Sequence, residues 1–346
     1  MSRALVISGG GSKGAFAVGI LKKLFNEFPG LEFDIFVGTS TGSLIAPLVA
    51  MNEMELLERL YTTQTTENIV LEKRLGDRIG DVSIFDATPL SDLLRTNYTD
   101  PKYNDLLATG KKLFLTTTCL QSGESVVFTT DQHPAEGENY EVVSLLNGSH
   151  FRRAVMASAC QPVFMPPIMV NEKIPGEPHP QFQFVDGGVR EYAGIQMAID
   201  NGATEIFTIL LAADTHVPDD IVFGSLFPIL QKTIDIFTDD VGKNDLIIPQ
   251  LYNRALVYID AVQKKMESSG IAPDKIKEFF RISGLENPFQ DKKPLKFFTF
   301  RPTEPLGGGP GGLTFDPVVM KGMLAKGEAS ANDFIAALNP ADITWA

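Results

Sequence analysis

The sequence predicts an α/β protein with one mainly parallel sheet, because its first fifty residues alternate between strand and helix patterns. Residues 4–8 form an apolar run that closes on three glycines, and residues 16–28 then follow an amphipathic helical period. A second strand is predicted at residues 34–38, and a turn leads from it into an apolar helix at residues 44–51. Units of this kind have parallel strands and right-handed crossovers.

The alternation continues along the rest of the chain. Further strands are predicted at residues 112–118, 125–130, 182–185, 205–211 and 296–301, and helices near residues 53–62, 90–94, 151–157, 223–237, 250–265 and 318–338. No linker rich in Pro, Gly or Ser divides the chain. We therefore expect a catalytic core over residues 3–213, completed by residues 214–346 within the same domain.

Composition excludes several classes of function. The 346 residues carry a net charge of -13, which repels phosphate backbones and makes nucleic acid an unfavourable partner. Cys119 and Cys160 are too few for a disulfide framework or a cysteine-rich zinc site, and no cofactor is predicted. No apolar run approaches the ~18 residues of a membrane span, and the first one is too short for a secretory signal. A cytoplasmic location is the expectation.

The turn after the second strand has the pattern of a nucleophile elbow. Residues 38–42 read Gly-Thr-Ser-Thr-Gly between a strand and an apolar helix, with Gly38 and Gly42 flanking Ser40. A serine nucleophile must project from a sharp turn, and glycines relieve the crowding there. The helix that follows directs its N-terminal N–H groups at the serine. The alternative is an ordinary turn in which Ser40 or Thr41 caps the helix.

A glycine-rich loop follows the first strand. Its sequence at residues 9–14 is Gly-Gly-Gly-Ser-Lys-Gly, and Gly9, Gly10, Gly11 and Gly14 expose backbone N–H groups at a helix start. Because neighbouring parallel strands end at the same edge of a sheet, this loop should lie beside Ser40. The N–H groups of Gly10, Gly11 and Thr41 then form a predicted oxyanion hole.

Two points about the glycine-rich loop stay open. Gly9, Gly11 and Gly14 also fit a dinucleotide fingerprint, but the acidic residue expected at the end of the second strand is missing, because Asp34 begins that strand. Lys13 either lends positive charge near the oxyanion or is a solvated lysine at the start of a helix.

Asp186 is the preferred candidate for the base that activates Ser40. It follows an apolar strand and precedes Gly187 and Gly188, which leave it open to another loop. A common Asp-Gly turn is the alternative. A triad of Ser40, Asp186 and His216 would also suit an α/β-hydrolase, but the elbow comes too early in this chain for that fold. The other histidines, His133, His150 and His179, lack an obvious structural setting.

Together, the glycine-rich loop, the elbow and the Asp-Gly-Gly motif resemble the patatin-like phospholipase family, as does the stretch at residues 157–167. The resemblance runs from about residue 3 to about residue 213. It implies a three-layer α/β/α fold, a Ser40–Asp186 dyad without histidine, an oxyanion hole at Gly10 and Gly11, and metal-free hydrolysis of lipid acyl esters. The segment 190–194 departs from the family, which usually has Asn and Pro there.

The sequence leaves alternatives for activity and for membrane contact. An acyltransferase would use the same acyl-enzyme, and a non-catalytic lipid-binding scaffold would keep only the fold. A helical apolar stripe formed by Phe223, Phe227, Leu230, Ile234 and Phe237, bracketed by residues 219–220 and 239–240, is interpreted as core rather than as a lid or a transient membrane contact.

Overall fold

The computed structural model describes residues 2–73, 81–213, 222–290, 292–339 and Trp345. The described strands are β1 (Arg3–Ile7), β2 (Ile35–Thr39), β3 (Leu71–Glu72), β4 (Phe85–Asp86), β5 (Lys112–Cys119), β6 (Ser125–Thr129), β7 (Glu141–Ser144), β8 (Phe184–Asp186), β9 (Glu205–Ile209) and β10 (Lys296–Phe300). The described α-helices are α1 (Gly14–Glu27), α2 (Thr41–Ala50), α3 (Met54–Thr63), α4 (Thr88–Asn97), α5 (Asp100–Ala108), α6 (Gly148–Ala159), α7 (Ile195–Asp200), α8 (Leu226–Ser268), α9 (Pro273–Phe279) and α10 (Pro317–Ala337).

The main sheet has eight strands and is mainly parallel, as predicted. Seven of them lie in the order β10-β9-β1-β2-β5-β6-β7, and β8 also pairs with β5. Among the strand pairings described for this sheet, those of β5 with β6 and with β8 are antiparallel and the others are parallel. A separate antiparallel pair joins β3 and β4. Strand β10 extends the same sheet through its parallel pairing with β9.

Helices cover both faces of the sheet, which confirms the three-layer architecture. Alternate residues of a strand point to opposite faces. Leu5 and Ile7 of β1 pack in the larger buried cluster with residues of α1, α2 and α10. Ala4 and Val6 belong to a second cluster, which contains residues of α7. The strand ends that carry the motifs are therefore held between two packed layers.

Helix α8 differs from the prediction of two shorter helices. It runs without interruption from Leu226 to Ser268 and contains Pro249 in its interior. Gly242 and Pro249 favour a break when they are judged locally. Both are buried, so tertiary packing along one side of α8 overrides their weak helical propensity.

The predicted apolar stripe at residues 223–237, most of which lies on α8, is only partly buried. Phe237 is 66% exposed, and Phe223, Leu230 and Ile234 are only half-buried. Phe223 and Ile234 line a cleft. The side chain of Phe227 and residues 219–220 lie outside the described part of the chain. Ile234 packs against the larger buried cluster, so the core interpretation holds for part of the stripe and fails at Phe237.

Candidate active site

The glycine-rich loop and the serine turn are adjacent, because they follow neighbouring parallel strands. Strands β1 and β2 pair with Ile7 opposite Gly38. A Cβ atom added to Gly9 would lie 3.2 Å from the Cβ of Ser40. The glycine-rich loop and the serine turn are therefore in contact, although α1 and β2 lie between them in the sequence.

Ser40 occupies the sharp turn that the sequence predicts. Its φ of 55° and ψ of -120° are unusual for a residue with a side chain, and α2 begins at the next residue. A Cβ on Gly38 would lie 2.5 Å from the carbonyl oxygen of Gly42, and one on Gly42 would lie 2.1 Å from that of Ile7. Only glycine fits at either flank, so the turn presents Ser40 at the N-terminus of α2.

The glycine-rich loop is enclosed by the Leu211 side chain and by the backbone of Gly312, both from distant parts of the chain. A Cβ on Gly10 would lie 2.8 Å from the Cβ of Leu211. At Gly11, where φ is 57°, a Cβ would lie 2.3 Å from the carbonyl oxygen of Gly312. Neither position therefore has room for a side chain, and both glycines are required by close packing.

Thr41 is fixed at the start of α2 by a buried tyrosine. Its hydroxyl is hydrogen-bonded to the hydroxyl of Tyr61, and burial raises the pKa of Tyr61. A Cβ on Gly14 would lie 2.5 Å from Cε1 of the same ring. Gly14 thus lets α1 approach Tyr61 closely, which secures the first turn of α2.

Asp186 reaches the same place from the middle of the chain, 146 residues after Ser40. It lies at the end of β8, opposite Thr117 of β5, and β5 is the next strand after β2. Its backbone N–H donates to the carbonyl oxygen of Cys160 at 2.9 Å. The fold therefore delivers a carboxylate to the edge where Ser40 lies, as the sequence predicts.

The carboxyl group of Asp186 is buried, and this changes its proton affinity. Burial raises its pKa to about 6, while hydrogen bonds from the Ser40 hydroxyl and the Gly188 N–H favour the charged form. The Gly188 N–H lies 2.7 Å from Oδ1 of Asp186. A carboxylate with this pKa is a stronger base than an exposed aspartate and is still ionised at pH 7.

Gly187 is required by close packing beside Asp186. A Cβ on Gly187 would lie 2.1 Å from Oγ1 of Thr116. Gly187 begins a short 3-10 turn that ends at Val189, and Asp186 caps that turn through the Gly188 N–H. The Asp-Gly-Gly motif is therefore a turn in which the Gly188 N–H binds the Asp186 carboxylate. An Asp-Gly turn and a candidate base are thus compatible interpretations of the same residue.

Ser40 and Asp186 lie in the wall of a cleft of about 1050 Å³. Gly9, Gly10, Gly11, Lys13 and Thr41 line it as well. Much of the remaining wall is apolar and includes Leu44, Ile84, Phe85, Leu90, Phe164 and Met165. Such a cleft is at the upper end of the range for small-molecule sites and has room for a long aliphatic group.

Lys13 faces this cleft rather than open solvent. Burial lowers its pKa, and the nearby charge of Asp235 on α8 opposes that effect. Asp235 also lines the cleft. Lys13 thus borders the same cleft as the rest of the glycine-rich loop, and a role beside the oxyanion stays a prediction.

Histidine does not contribute to the cleft within the described residues. His133, His150 and His179 are absent from its lining. His150 is buried, where its Nε2 lies 2.9 Å from Oδ1 of Asn171. His216 lies outside the described residues. In the part of the chain that the structure describes, no group of three or more His, Cys, Asp or Glu could hold a metal ion.

Three contacts at the site have no clear signal in the sequence. The Ser40 N–H donates to Oγ of Ser158 at 3.1 Å, and the Tyr192 hydroxyl donates to the carbonyl oxygen of Gly9 at 3.0 Å. The backbone of Gly312 covers Gly11. Only the run of glycines at residues 307–312 could have drawn attention beforehand, and it reads as a surface loop rather than as part of a site.

Comparison with known proteins gives three findings. A sequence model of the patatin-like phospholipase family matches residues 5–199. The cUMP-AMP-activated phospholipase of Escherichia coli is 30% identical over 110 residues, which are 30% of this chain and 31% of that protein. The crystal structure of VipD from Legionella pneumophila aligns with a TM-score of 0.45 and 11% identity over 97% of this chain and 67% of that one.

Proposed function

Because the chain belongs to the patatin-like phospholipase family, we propose that it hydrolyses lipid acyl esters through a Ser40 acyl-enzyme, with Asp186 as the base. One observation carries the proposal. A serine on a strained turn at a helix N-terminus lies next to a buried carboxylate with a raised pKa, in one largely apolar cleft. Nucleophile, base and a space for an acyl chain are thus combined in one site.

The proposed reaction has two halves. Asp186 accepts the Ser40 proton as Oγ bonds to the ester carbonyl carbon, and the N–H groups of Gly10, Gly11 and Thr41 stabilise the oxyanion. Asp186 returns the proton to the leaving alcohol as the C–O bond breaks, which leaves an acyl-enzyme. A water molecule then gives a proton to Asp186 and attacks the acyl carbon. Ser40 recovers the proton, and a fatty acid leaves.

The decisive experiment compares matched variants on a nitrophenyl acyl ester. Ser40→Ala and Asp186→Asn should each lower kcat about a thousandfold or more, because a nucleophile and its base act as a unit. Ser122→Ala, at an exposed serine, should keep full activity. A fluorophosphonate probe should label the wild type and Ser122→Ala but not Ser40→Ala. Full activity of Ser40→Ala would refute the proposal.

The same preparation tests the two alternatives. An acyltransferase would transfer the acyl group to glycerol or a lysolipid in preference to water, which product analysis detects. A non-catalytic scaffold would give neither turnover nor labelling of Ser40. We expect free fatty acid to be the main product.

We also propose that α8 brings the cleft to a membrane that contains neutral lipid. Ile236 lines the cleft and is 54% exposed. An exposed apolar surface continues along the helix through Phe237, Ile247, Ile248 and Leu251. The net charge of -13 disfavours a membrane rich in anionic lipid. Within the described residues, no helix is both long enough and apolar enough to cross a membrane.

Vesicle flotation tests this contact. Phe237→Ser should weaken binding to phosphatidylcholine vesicles about thirtyfold, because burial of a phenylalanine contributes about 2 kcal/mol. Leu285→Ser is the control, since Leu285 has the same exposure of 66% and lies away from the cleft. Equal binding by both variants would show that α8 does not contact the vesicle. A cytoplasmic location stays a prediction.

We further propose that residues 214–346 complete the domain of residues 3–213. The pairing of β10 with β9 and the contact between Gly312 and Gly11 support this. Expression of residues 1–213 alone should give a chain without esterase activity, while a mixture with the separate C-terminal piece should restore part of it. Activity of the short chain alone would contradict the proposal.

A further inference from the structure

Tyr192 lies beneath the glycine-rich loop, in the segment where the chain departs from the family pattern. The residue is buried, and its hydroxyl donates to the carbonyl oxygen of Gly9 at 3.0 Å. A Cβ on Gly9 would lie 3.5 Å from Cε2 of Tyr192 and 3.2 Å from the Cβ of Ser40. Gly9 is therefore held between the tyrosine ring and the serine turn.

The geometry of the peptide unit links this contact to the oxyanion hole. The carbonyl of Gly9 and the N–H of Gly10 belong to one planar trans peptide, so they point in opposite directions. A donor that holds the Gly9 oxygen thereby fixes the direction of the Gly10 N–H. The Ser8 hydroxyl, 3.2 Å from the same oxygen, adds a longer second contact.

Helix α8 holds Tyr192 in place. Oδ2 of Asp245 accepts hydrogen bonds from the backbone N–H groups of Tyr192 at 2.6 Å and of Ala193 at 3.0 Å. One turn earlier, a Cβ on Gly242 would lie 2.6 Å from Cδ1 of the Tyr192 ring. Gly242 thus lets the helix pack against the ring, and Asp245 fixes the backbone that carries it.

We propose that Tyr192, held by Asp245, is a positioning residue that aims the Gly10 N–H at the developing oxyanion. The inference rests on the proposed hydrolase function. Tyr192 would act on the reaction indirectly, through the peptide between Gly9 and Gly10. Burial raises the pKa of Tyr192 to about 12, so its hydroxyl keeps the proton that it donates. The same helix that borders the cleft therefore sets the alignment of the oxyanion hole.

The test is Tyr192→Phe, which keeps the ring and removes only the hydroxyl. Its kcat on a nitrophenyl ester should fall roughly tenfold to a hundredfold, because a misdirected oxyanion donor loses part of its effect, and its KM should stay within about twofold.

A trifluoromethyl ketone, which forms an oxyanion on Ser40, should bind more weakly by a similar factor. A non-hydrolysable ether analogue, which forms none, should bind as it does to the wild type. Tyr258→Phe, on the exposed side of α8, is the control and should change none of these values.

Asp245 provides a second, independent readout. Asp245→Asn keeps an acceptor oxygen and should retain most activity, whereas Asp245→Ala should reproduce the loss in kcat seen for Tyr192→Phe. Tyr192→Phe with wild-type kcat would overturn the inference, and so would equal losses of affinity for the ketone and the ether analogue. These outcomes differ from failure of the proposed function, in which Ser40→Ala itself would stay active.

Discussion

Replacement of Asp186 by asparagine should stabilise the protein at pH 8 by about 3 kcal/mol while it removes activity. Burial raises the pKa of this carboxyl group from 3.8 to about 6. The shift is about two units, and each unit corresponds to about 1.36 kcal/mol. The ionised carboxylate therefore costs about 3 kcal/mol of folding free energy, and asparagine avoids that cost while keeping an oxygen for the Gly188 N–H.

The pH dependence of this gain follows from the direction of the shift. A carboxyl group whose pKa is raised on folding destabilises the folded state progressively as pH rises from the unfolded value towards the folded one. The stabilisation by Asp186→Asn should thus be full at pH 8 and fall to about half at pH 5. Below pH 4 it should approach zero, since both states of the wild type are then largely protonated.

Urea denaturation of the wild type and Asp186→Asn at pH 8, 7, 6 and 5 measures this difference. Asp105→Asn, at an exposed carboxylate on α5, is the matched control and should change the free energy of unfolding by no more than about 0.5 kcal/mol. If Asp186→Asn were no more stable than the wild type at pH 8, the carboxylate would not be desolvated, and the reasoning that makes it a base would be refuted.

Three further predictions concern the same site. The kcat/KM for an acyl ester should fall about tenfold per pH unit below pH 6, because in the proposed mechanism a protonated Asp186 cannot accept the serine proton; a flat pH–rate profile there would exclude Asp186 as the base. Gly11→Ala should lower both stability and activity, since its Cβ would lie 2.3 Å from the oxygen of Gly312, whereas Gly123→Ala, also at positive φ but in open space, should affect stability only; urea unfolding and esterase assays separate the two. Tyr61→Phe should cost about 1 kcal/mol in urea unfolding by removing a buried hydrogen bond to the first residue of α2, and unchanged stability would mean that this contact is not formed.

The turn that carries Ser40 could be predicted from the sequence, because the residues that determine its conformation are adjacent in the chain. The elbow at Ser40 and the glycines around it follow from the needs of a strand-to-helix turn, and the contact distances at Gly38 and Gly42 show why no other residue fits. Asp186 could be proposed from a strand end followed by two glycines. Its burial and its raised pKa depend on packing by β5, α6 and α8, which no short pattern encodes.

The contacts that link distant segments could not be predicted. Tyr192 and Gly9 are 183 residues apart, and Tyr192 and Asp245 are 53 apart. Neither pair has a periodicity or spacing that marks it. The sequence predicts two helices in place of α8, and Gly242, which is unfavourable within a helix when judged locally, is the residue that admits the Tyr192 ring. Its apolar stripe is predicted to be core, and Phe237 departs from that prediction because a helical period alone does not tell which face is covered.

The covering of Gly11 by Gly312 has a consequence for synthesis of the protein. A Cβ on Gly312 would lie 2.2 Å from the carbonyl oxygen of Gly10, so the two backbones support each other across some three hundred residues. A nascent chain leaves the ribosome from its N-terminus, so Ser40 and Asp186 emerge long before this support exists. We expect the growing polypeptide to remain inert towards the lipids around it until translation has passed Gly312.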